Sequence, residues 1–478
     1  MVLDKKYSMK KYTLIIFGII IFNFLIRIPF LDFPAHWDEI VYFWGTWKVF
    51  DNHLNPFVEF WSYKPPLLFE LTAIFYKIFG VSRWVGRLII ALSSSLSIFL
   101  TYKLGEKVFT PKVGLWASIL LFLNPLFFTQ SNLFHTSILM TALFLAAIYF
   151  YLKKRFWLYF LFGSLLVLTK EPGVLIITSI FCFDFFINFK KNSLKKVVKK
   201  SLLILSPLSV FVIWLLLNKH FMGWYLWPYN ASYFTFFSRP YERCFFNTFS
   251  LVSFREQFLW FIFSFISFAL LFSTGINVLR KKIFNKWFFY LFSLSLIFPF
   301  IFYFGAFLPR YLLFTLPGLF LSFAWILEKV LNREWLKFLI LSVVCLIFLI
   351  IPIYSFFFND EVPKWSGERD MSYLKMVKTT KKVADFTQKE FPDVLVLTRW
   401  PLNSVFEDSI FGYVKYHFDV ADYHGCQYLD EVKRDCLLIL PLIEIPAFEV
   451  DLDLNCIEEK GFDLIKEVEW IRIYHKQI

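Results

Sequence analysis

Two adjacent carboxylates, Asp38 and Glu39, follow directly after the first apolar segment of the chain. Charged side chains at the edge of a bilayer are costly unless they are solvated or used, so an acidic pair at this depth indicates a reaction centre. There, a carboxylate can deprotonate a hydroxyl nucleophile. The same acids would also suit the first turn of a helix, where carboxylates are stabilised, and this structural interpretation stays open.

Basic side chains recur in the connections on the same side of the predicted membrane spans. Lys64 precedes two prolines, which fix the backbone so that the lysine points in a defined direction. Arg83 and Arg87 are four residues apart and share one helix face, and their planar guanidinium groups suit a phosphate. Arg310 follows a proline at the start of a later apolar segment. The alternative for Lys64 is a side chain that lies along the membrane edge with its charge in water.

Lys170 and Glu171 lie in a tight turn between two short apolar segments. Taken alone, this pair also fits a structural ion pair. Together with the other charges it forms a pattern of acids, lysines and arginines at one membrane face. The acid would activate an alcohol, while the cations would hold a phosphate and stabilise the charge that builds on it as it leaves. The pattern therefore predicts transfer from a lipid phosphate to an alcohol.

The composition predicts a polytopic α-helical membrane protein. The chain has 478 residues, of which 58% are hydrophobic and only 18% are charged, and a bilayer span needs roughly 20 apolar residues. About eleven spans are predicted on this basis, near residues 12–30, 85–102, 114–130, 136–152, 156–169, 173–189, 201–218, 257–279, 287–307, 311–327 and 338–357.

The charge distribution divides the chain into a membrane domain, residues 1–359, and a tail, residues 360–478. The first part carries 35 basic and 14 acidic residues, and the tail carries 15 and 23. Most of the basic residues of the first part fall in alternate short connections, which the positive-inside rule places in the cytoplasm. We therefore expect a multi-pass protein of the cell membrane, with a cytoplasmic N-terminus and an exterior tail. Nucleic acid is not an expected partner.

Two exterior connections are long, residues 31–84 and 219–256, and long connections often carry function. The first contains an amphipathic stretch, Leu67 to Phe79, that fits a helix lying in the membrane interface. The second is rich in aromatic residues around Trp224 to Pro228, and it could close over a lipid-filled groove.

The tail has the pattern of a small α/β domain. A helix is predicted over Met371 to Lys389, and the predicted strands are Val394 to Leu397, Cys436 to Leu440 and Val468 to Tyr474. Three cysteines lie here, so a disulfide could persist in an oxidising compartment. They do not fix a pairing, although Cys426 with Cys436 spans the shortest stretch.

These residues resemble the GT-C superfamily of membrane glycosyltransferases, especially the protein O-mannosyltransferases and the lipid A aminoarabinose transferases. The resemblance covers nearly the whole chain, including an exterior C-terminal domain. The matching residues are Asp38-Glu39 with Tyr42, Lys64-Pro65-Pro66-Leu67, Arg83 and Arg87, Lys170-Glu171, and Arg310-Tyr311-Leu312-Leu313.

The resemblance implies a polyprenyl-phosphate sugar donor whose tail lies among the spans, next to membrane lipids. Asp38, beside Glu39, would be the base that activates an acceptor hydroxyl, and a single displacement would invert the anomeric carbon. The leaving phosphate would be held by Lys64, by Arg83 or Arg87, and by Arg310. The acceptor could be a lipid, a surface glycan or a protein hydroxyl.

The chain departs from the aminoarabinose transferases at two positions. Tyr63 stands where they have an acid that helps to bind a divalent metal, and Val41 stands where they have an arginine. The first departure weighs against a metal, and no other cofactor is predicted. Both weigh against the aminoarabinose specificity.

Two other functions use similar residues. A transporter or flippase of lipid-linked sugars would also need charges near a phosphate, but it would place them near the midplane of repeated halves. A polymerase or ligase of lipid-linked glycans would share the donor class and differ in product length.

Overall fold

The computed structural model describes residues 2–58, 64–189, 193–227, 286–303, 309–357, 371–441 and 454–477. Most of the described chain before residue 358 is helical. In chain order its helices are α1 (Val2–Leu25), α2 (Asp38–Asp51), α3 (Leu67–Phe79), α4 (Arg83–Val108), α5 (Pro111–Leu123), α6 (Pro125–Gln130), α7 (Thr136–Leu152), α8 (Phe156–Val167), α9 (Pro172–Asn188), α10 (Leu194–Leu205), α11 (Pro207–Met222), α12 (Lys286–Tyr303), α13 (Leu316–Val330) and α14 (Glu334–Phe357). Short 3-10 helices cover Ile28–Phe30 and Pro309–Thr315.

Within the described chain, four helical segments are long and apolar enough to cross a membrane: Lys11–Phe30, Arg83–Val108, Arg310–Val330 and Glu334–Tyr354. A fifth is counted if α10 and α11, which meet at an angle of 49°, form one bent span. The bend lies at Pro207, where the proline ring removes a backbone donor. Helices α5, α7, α8 and α9 are apolar but shorter.

The predicted spans coincide with helices wherever the structure describes them, and the span near 257–279 lies outside the described residues. The predicted span 201–218 crosses the bend between α10 and α11, and the predicted span 114–130 is divided into α5 and α6. The division lies at Asn124, whose side chain accepts a hydrogen bond from the Phe127 N–H at 3.0 Å, and a proline follows it. The number of spans therefore stays a prediction.

Helix α4 runs from the loop before α2 to a lysine-rich end. Its first turn contacts the loop before α2, and its last turns carry Lys103 and Lys107. Its 26 residues span about 39 Å at 1.5 Å per residue. The acidic pair at the start of α2 and these two lysines therefore lie near opposite ends of one long helix.

The described C-terminal part is a five-stranded sheet with helices. The elements are α15 (Tyr373–Glu390), β1 (Leu395–Thr398), α16 (Leu402–Glu407), β2 (Asp419–Asp422), β3 (Cys436–Pro441), α17 (Leu454–Glu459), β4 (Asp463–Val468) and β5 (Ile471–Lys476). The sheet order is β2-β1-β3-β5-β4, in which β1 is parallel to β2 and β3, while β5 is antiparallel to β3 and β4. Both faces of β1 and β3 are buried, as expected for parallel strands.

The predicted α/β pattern of the tail is present, with two corrections. The stretch Val468 to Tyr474 is not one strand, because the chain turns at Glu469, whose φ is 56°, between β4 and β5. Strands β2 and β4 were not predicted. Both are largely exposed edge strands, and β2 has the sequence Asp-Val-Ala-Asp with no apolar pattern.

The disulfide joins Cys426 to Cys456, 30 residues apart, with a Cα–Cα distance of 6.3 Å. The pairing of Cys426 with Cys436 suggested by spacing is wrong. Cys436 begins the central strand β3 and is a buried free thiol, so its side chain is part of the sheet core.

Peptide mapping of the unreduced protein is expected to give a cross-linked pair of peptides that contain Cys426 and Cys456. Reduction should release the pair, and the Cys436→Ser variant should leave it unchanged because that thiol is free. A cross-link between Cys426 and Cys436 in the wild type would contradict this pairing.

Candidate active site

Asp38 is the first residue of α2, and its carboxylate is partly accessible. Its side chain is 28% exposed, and its Oδ2 atom forms an ion pair with the Nη2 of Arg310, whose side chain is only 5% exposed. Arg310 lies in the 3-10 helix Pro309–Thr315. The structure therefore joins two predicted site residues that are separated by 272 positions in the sequence.

Lys64 contacts α2 one turn after Asp38. Its Nζ donates a hydrogen bond of 2.8 Å to the Tyr42 hydroxyl and lies 4.3 Å from the centre of the tyrosine ring. Tyr42 follows Asp38 by four residues, which places both on one face of α2. The Tyr42 ring stacks on Phe69 of α3, with ring centroids 5.8 Å apart, so α3 fixes the aromatic partner of the lysine.

Lys170 reaches the site from the turn between α8 and α9. Its ammonium lies 3.7 Å from the ring centre of Tyr311, the neighbour of Arg310, in a cation–π contact. In the described part of the chain this ammonium has no carboxylate or hydrogen-bond partner. The turn needs Gly173, because a Cβ atom there would lie 2.6 Å from the Leu166 carbonyl oxygen.

The electrostatics of this group are dominated by positive charge. Burial would raise the pKa of Asp38, but the charges of Arg310, Lys64 and Lys170 outweigh it and lower that pKa, so the carboxylate stays ionised. Burial and the neighbouring cations Lys64 and Arg310 hold the pKa of Lys170 well below its usual value. We call these residues, with Tyr42 and Tyr311, the cationic cluster.

Glu39 points away from the cationic cluster and is fully buried. Its carboxylate forms a two-pronged ion pair with Arg87, with distances of 2.9 Å and 2.7 Å, and accepts backbone hydrogen bonds from His36 at 2.8 Å and Phe134 at 2.6 Å. The Arg87 guanidinium also donates to the carbonyls of the loop before α2. This pair therefore fastens the loop to α4.

The structure places Arg83 and Arg87 outside the cationic cluster. Arg87 uses its donors on Glu39 and on loop carbonyls, and Arg83 pairs with Asp32 at 3.0 Å and donates to the Ile410 carbonyl at 2.9 Å. Glu171 is the half-buried residue at the start of α9. Tyr63 lies outside the described residues. Their predicted roles in the reaction stay predictions.

Sequence reasoning missed His135, which lies beside the cationic cluster. Its imidazole is 5.5 Å from the Tyr42 ring and shares a 3.1 Å hydrogen bond with Gln130. Burial and the charges of Arg310 and Lys64 hold the pKa of His135 well below its usual value, so this side chain is neutral. An ionisable residue directly before an apolar helix was the available signal.

The donor set of the described residues does not fit a divalent metal. Within the described ranges, no three His, Cys, Asp or Glu side chains lie close enough together to hold a metal ion. Asp38, the accessible carboxylate, is paired with Arg310 and lies in the field of two lysines. These three cations would repel a divalent cation, so no step of the reaction is assigned to a metal.

Comparison with known proteins gives one family model that matches part of the chain. Residues 63–215 match the family model described as dolichyl-phosphate-mannose-protein mannosyltransferase. This match includes Lys64, Arg83, Arg87 and Lys170. Among curated protein sequences, no significant match to the chain is found.

Several solved structures share the fold. The structure of ArnT from Cupriavidus metallidurans bound to undecaprenyl phosphate has a TM-score of 0.61 at 13% identity and covers 97% of this chain and 98% of that one. The apo form of that protein gives a TM-score of 0.62 at 13% identity, with coverage of 98% of both chains. The archaeal oligosaccharyltransferase AglB from Archaeoglobus fulgidus, in complex with an inhibitory peptide and a dolichol-phosphate, gives 0.52 at 13% identity and covers 91% of this chain and 70% of that one.

These comparisons confirm the predicted resemblance to the GT-C membrane glycosyltransferases. The helical fold and the small C-terminal sheet agree with ArnT over nearly the full length of both chains. At 13% identity this agreement establishes the fold, and the reaction has to be argued from the residues of the site.

Replacing Arg87 with alanine is expected to destabilise the protein strongly, by about 3–5 kcal/mol, because Glu39 would remain buried without its partner. Thermal unfolding in detergent, followed by intrinsic fluorescence, measures the change. Arg434→Ala is the control, since Arg434 pairs with Asp419 at the surface, where both side chains are more than half exposed, and such pairs contribute about 0–1 kcal/mol. Similar unfolding temperatures for the two variants would refute the fastening role of the Glu39–Arg87 pair.

Proposed function

We propose that this protein is a membrane glycosyltransferase that moves a single sugar from a polyprenyl-phosphate donor to a hydroxyl acceptor. The cationic cluster supports this proposal, since one ionised carboxylate lies among three cations at the end of a helical bundle. Such a site can hold a lipid phosphate and place a base beside the reacting carbon. The GT-C fold and the mannosyltransferase family match add support.

In the proposed reaction the acceptor hydroxyl oxygen attacks the anomeric carbon of the sugar. The bond between that carbon and the phosphate oxygen breaks, and its electron pair leaves with the phosphate. Asp38 takes the hydroxyl proton, while Arg310, Lys64 and Lys170 stabilise the charge that develops on the leaving phosphate. Attack opposite to the leaving group inverts the anomeric configuration.

Donor binding would also activate the base. In the free protein, the pairing with Arg310 lowers the pKa of Asp38, which makes the carboxylate a weak base. A phosphate that binds Arg310 and the lysines neutralises the charges that lower this pKa. The proton affinity of Asp38 therefore rises when the donor is present, as general-base catalysis requires.

The buried pair Glu39–Arg87 would have a structural role in this reaction. Its carboxylate and guanidinium are 0% and 2% exposed and are saturated with hydrogen bonds. We propose that Glu39 fixes the helix start from which Asp38 projects. Of the two acids predicted from the sequence, Asp38 is then the one that meets the substrate.

We place the reaction at the outer face of the cell membrane. The cationic cluster lies near the amino end of α4, opposite the end that carries Lys103 and Lys107. Lys112 and Lys337 lie at that second end too, where both pair with Glu328. The positive-inside rule assigns this lysine-rich end to the cytoplasm. The tail, which contacts the loop before Asp38, is then exterior.

A transporter of lipid-linked sugars is the second candidate. It would be favoured by charges near the midplane of the bilayer, whereas the described cluster lies at one end of the bundle. The arrangement therefore favours an enzyme, and a direct assay separates the two functions.

The Asp38→Asn variant is expected to lower turnover by about a hundredfold to ten-thousandfold, the usual contribution of a general base. Purified proteins are incubated with a panel of polyprenyl-phosphate sugars and a membrane lipid extract, and donor consumption is followed by mass spectrometry. The matched control is Asp51→Asn, which changes an exposed acid at the other end of α2.

Consumption of one donor by wild type and Asp51→Asn, but not by Asp38→Asn, would support the proposal. Equal turnover in all three would exclude Asp38 as the base. If none consumes a donor, while reconstituted vesicles show that the donor crosses the bilayer, the transporter function becomes the better explanation.

Donor affinity is expected to fall as the pH rises, because the bound phosphate stabilises the charged form of Lys170. The pKa of Lys170 is low in the free protein and would be higher in the complex. The affinity is therefore greatest at pH values below the free-protein pKa. It is lost as the pH rises towards about 10, the ordinary pKa of a lysine. Binding of a polyprenyl-phosphate sugar, measured in detergent across this range, tests the expectation.

The Lys170→Gln variant should bind the donor about ten- to a hundredfold more weakly, as expected for a lost hydrogen bond to a charged group, and with less pH dependence. Lys153→Gln, which changes an exposed lysine at the end of α7, should behave like wild type. An unchanged pH profile in Lys170→Gln would show that this lysine does not contact the phosphate.

A further inference from the structure

The residue before Asp38 has a backbone conformation that tryptophan rarely adopts. Trp37 has φ 46° and ψ −113°, which are the angles of the first central position of a type II′ turn. Glycine normally occupies that position because it has no Cβ atom. The His36 carbonyl accepts a hydrogen bond of 2.8 Å from the Glu39 N–H, which closes the turn around Trp37 and Asp38. A bulky residue stays in such a conformation only when its surroundings hold it there.

The Trp37 side chain packs against the C-terminal domain. Its ring lies 5.2 Å from that of Trp400, edge to face at 75°, an arrangement that is attractive beyond the area it buries. Trp400 follows β1 by two residues. The neighbouring His36 ring lies 5.3 Å from Tyr373 at the start of α15. The side chains of His36 and Trp37 thus both contact the C-terminal domain.

The backbone before the turn is bonded to the same domain. The Ala35 N–H donates to the Phe411 carbonyl at 2.8 Å, and the Ala35 carbonyl accepts from the Tyr413 hydroxyl at 2.8 Å. Gly412, which lies between Phe411 and Tyr413, has φ 89°. A Cβ atom at this position would lie 2.7 Å from the Arg83 guanidinium. The domain therefore fits closely against the loop that enters the turn.

We propose that Trp37 is a positioning residue, held in its strained turn by Trp400, and that the C-terminal domain in this way fixes the direction in which Asp38 leaves the turn towards Arg310. The inference rests on the proposed function of Asp38 as the base. It gives the C-terminal domain a part in the reaction without a contact to the donor. The Trp37–Trp400 contact offsets the steric cost of a side chain at this φ, so the two effects are coupled.

Substitutions at the two positions separate this role from simple packing. Trp37→Ala and Trp37→Gly both remove the indole, but only glycine adopts the turn without strain. Trp400→Ala is expected to lower kcat about tenfold in the otherwise wild-type chain and less than about twofold in the Trp37→Gly background, since small misplacements of a catalytic group are costly. Trp37→Ala should lose more activity than Trp37→Gly. The KM for the donor should change little in all variants.

Thermal unfolding without substrate is measured for four of these proteins: the wild type, Trp400→Ala, Trp37→Gly and the double variant. Trp400→Ala should lower the unfolding temperature less in the Trp37→Gly background than alone. Equal decreases in the two backgrounds would overturn the inference, whatever the activities are. Equal losses of kcat in the two backgrounds would overturn it as well.

The thermal measurement distinguishes this inference from the proposed function. If the wild type consumes no donor while the unfolding temperatures are coupled, the proposed function fails and the support of the turn by Trp400 stands. If the wild type is active and the temperatures are not coupled, the positioning inference fails and the proposed function stands.

Discussion

The arrangement of the site depends on one buried ion pair, between Glu39 and Arg87. Its two side chains are almost completely removed from solvent, so the pair is tolerable only because every charge is met by a partner. The Arg87 guanidinium bonds the carbonyls of Phe30 and Pro34, and the Glu39 carboxylate bonds the N–H of Phe134. The first span, the loop after it, α4 and the segment before α7 are thereby fixed around the first turn of α2.

Two consecutive acids acquire different properties from this arrangement. Consecutive residues on a helix point in directions about 100° apart, so fixing Glu39 in the interior leaves Asp38 directed towards Arg310 of the 3-10 helix Pro309–Thr315. Glu39 is saturated by its ion pair with Arg87 and by backbone hydrogen bonds. Among the described residues Asp38 has one ion-pair partner, Arg310, which an incoming phosphate can take away.

The sequence predicted much of this arrangement, because the relevant signals were local. Apolar runs gave the helices, and the motifs gave Asp38, Lys64, Lys170 and Arg310, which the structure brings together. The different environments of Glu39 and Asp38 could not be predicted, since burial depends on contacts with distant segments. The same holds for His135, which joins the site through its ring contact with Tyr42. It holds also for β2, an edge strand of the sheet that has no apolar pattern.

The excess of positive charge explains why the site would favour a lipid phosphate over a neutral ligand. Around Asp38 lie Arg310, Lys64 and Lys170, so the group carries more cations than anions, and Lys170 has an aromatic ring as its described partner. Unbalanced charge is costly to desolvate, and an anion that neutralises it recovers that cost. The rings of Tyr42 and Tyr311 stabilise the lysines without consuming their charge. The lysines are thus kept in place, yet both remain available to bind a phosphate.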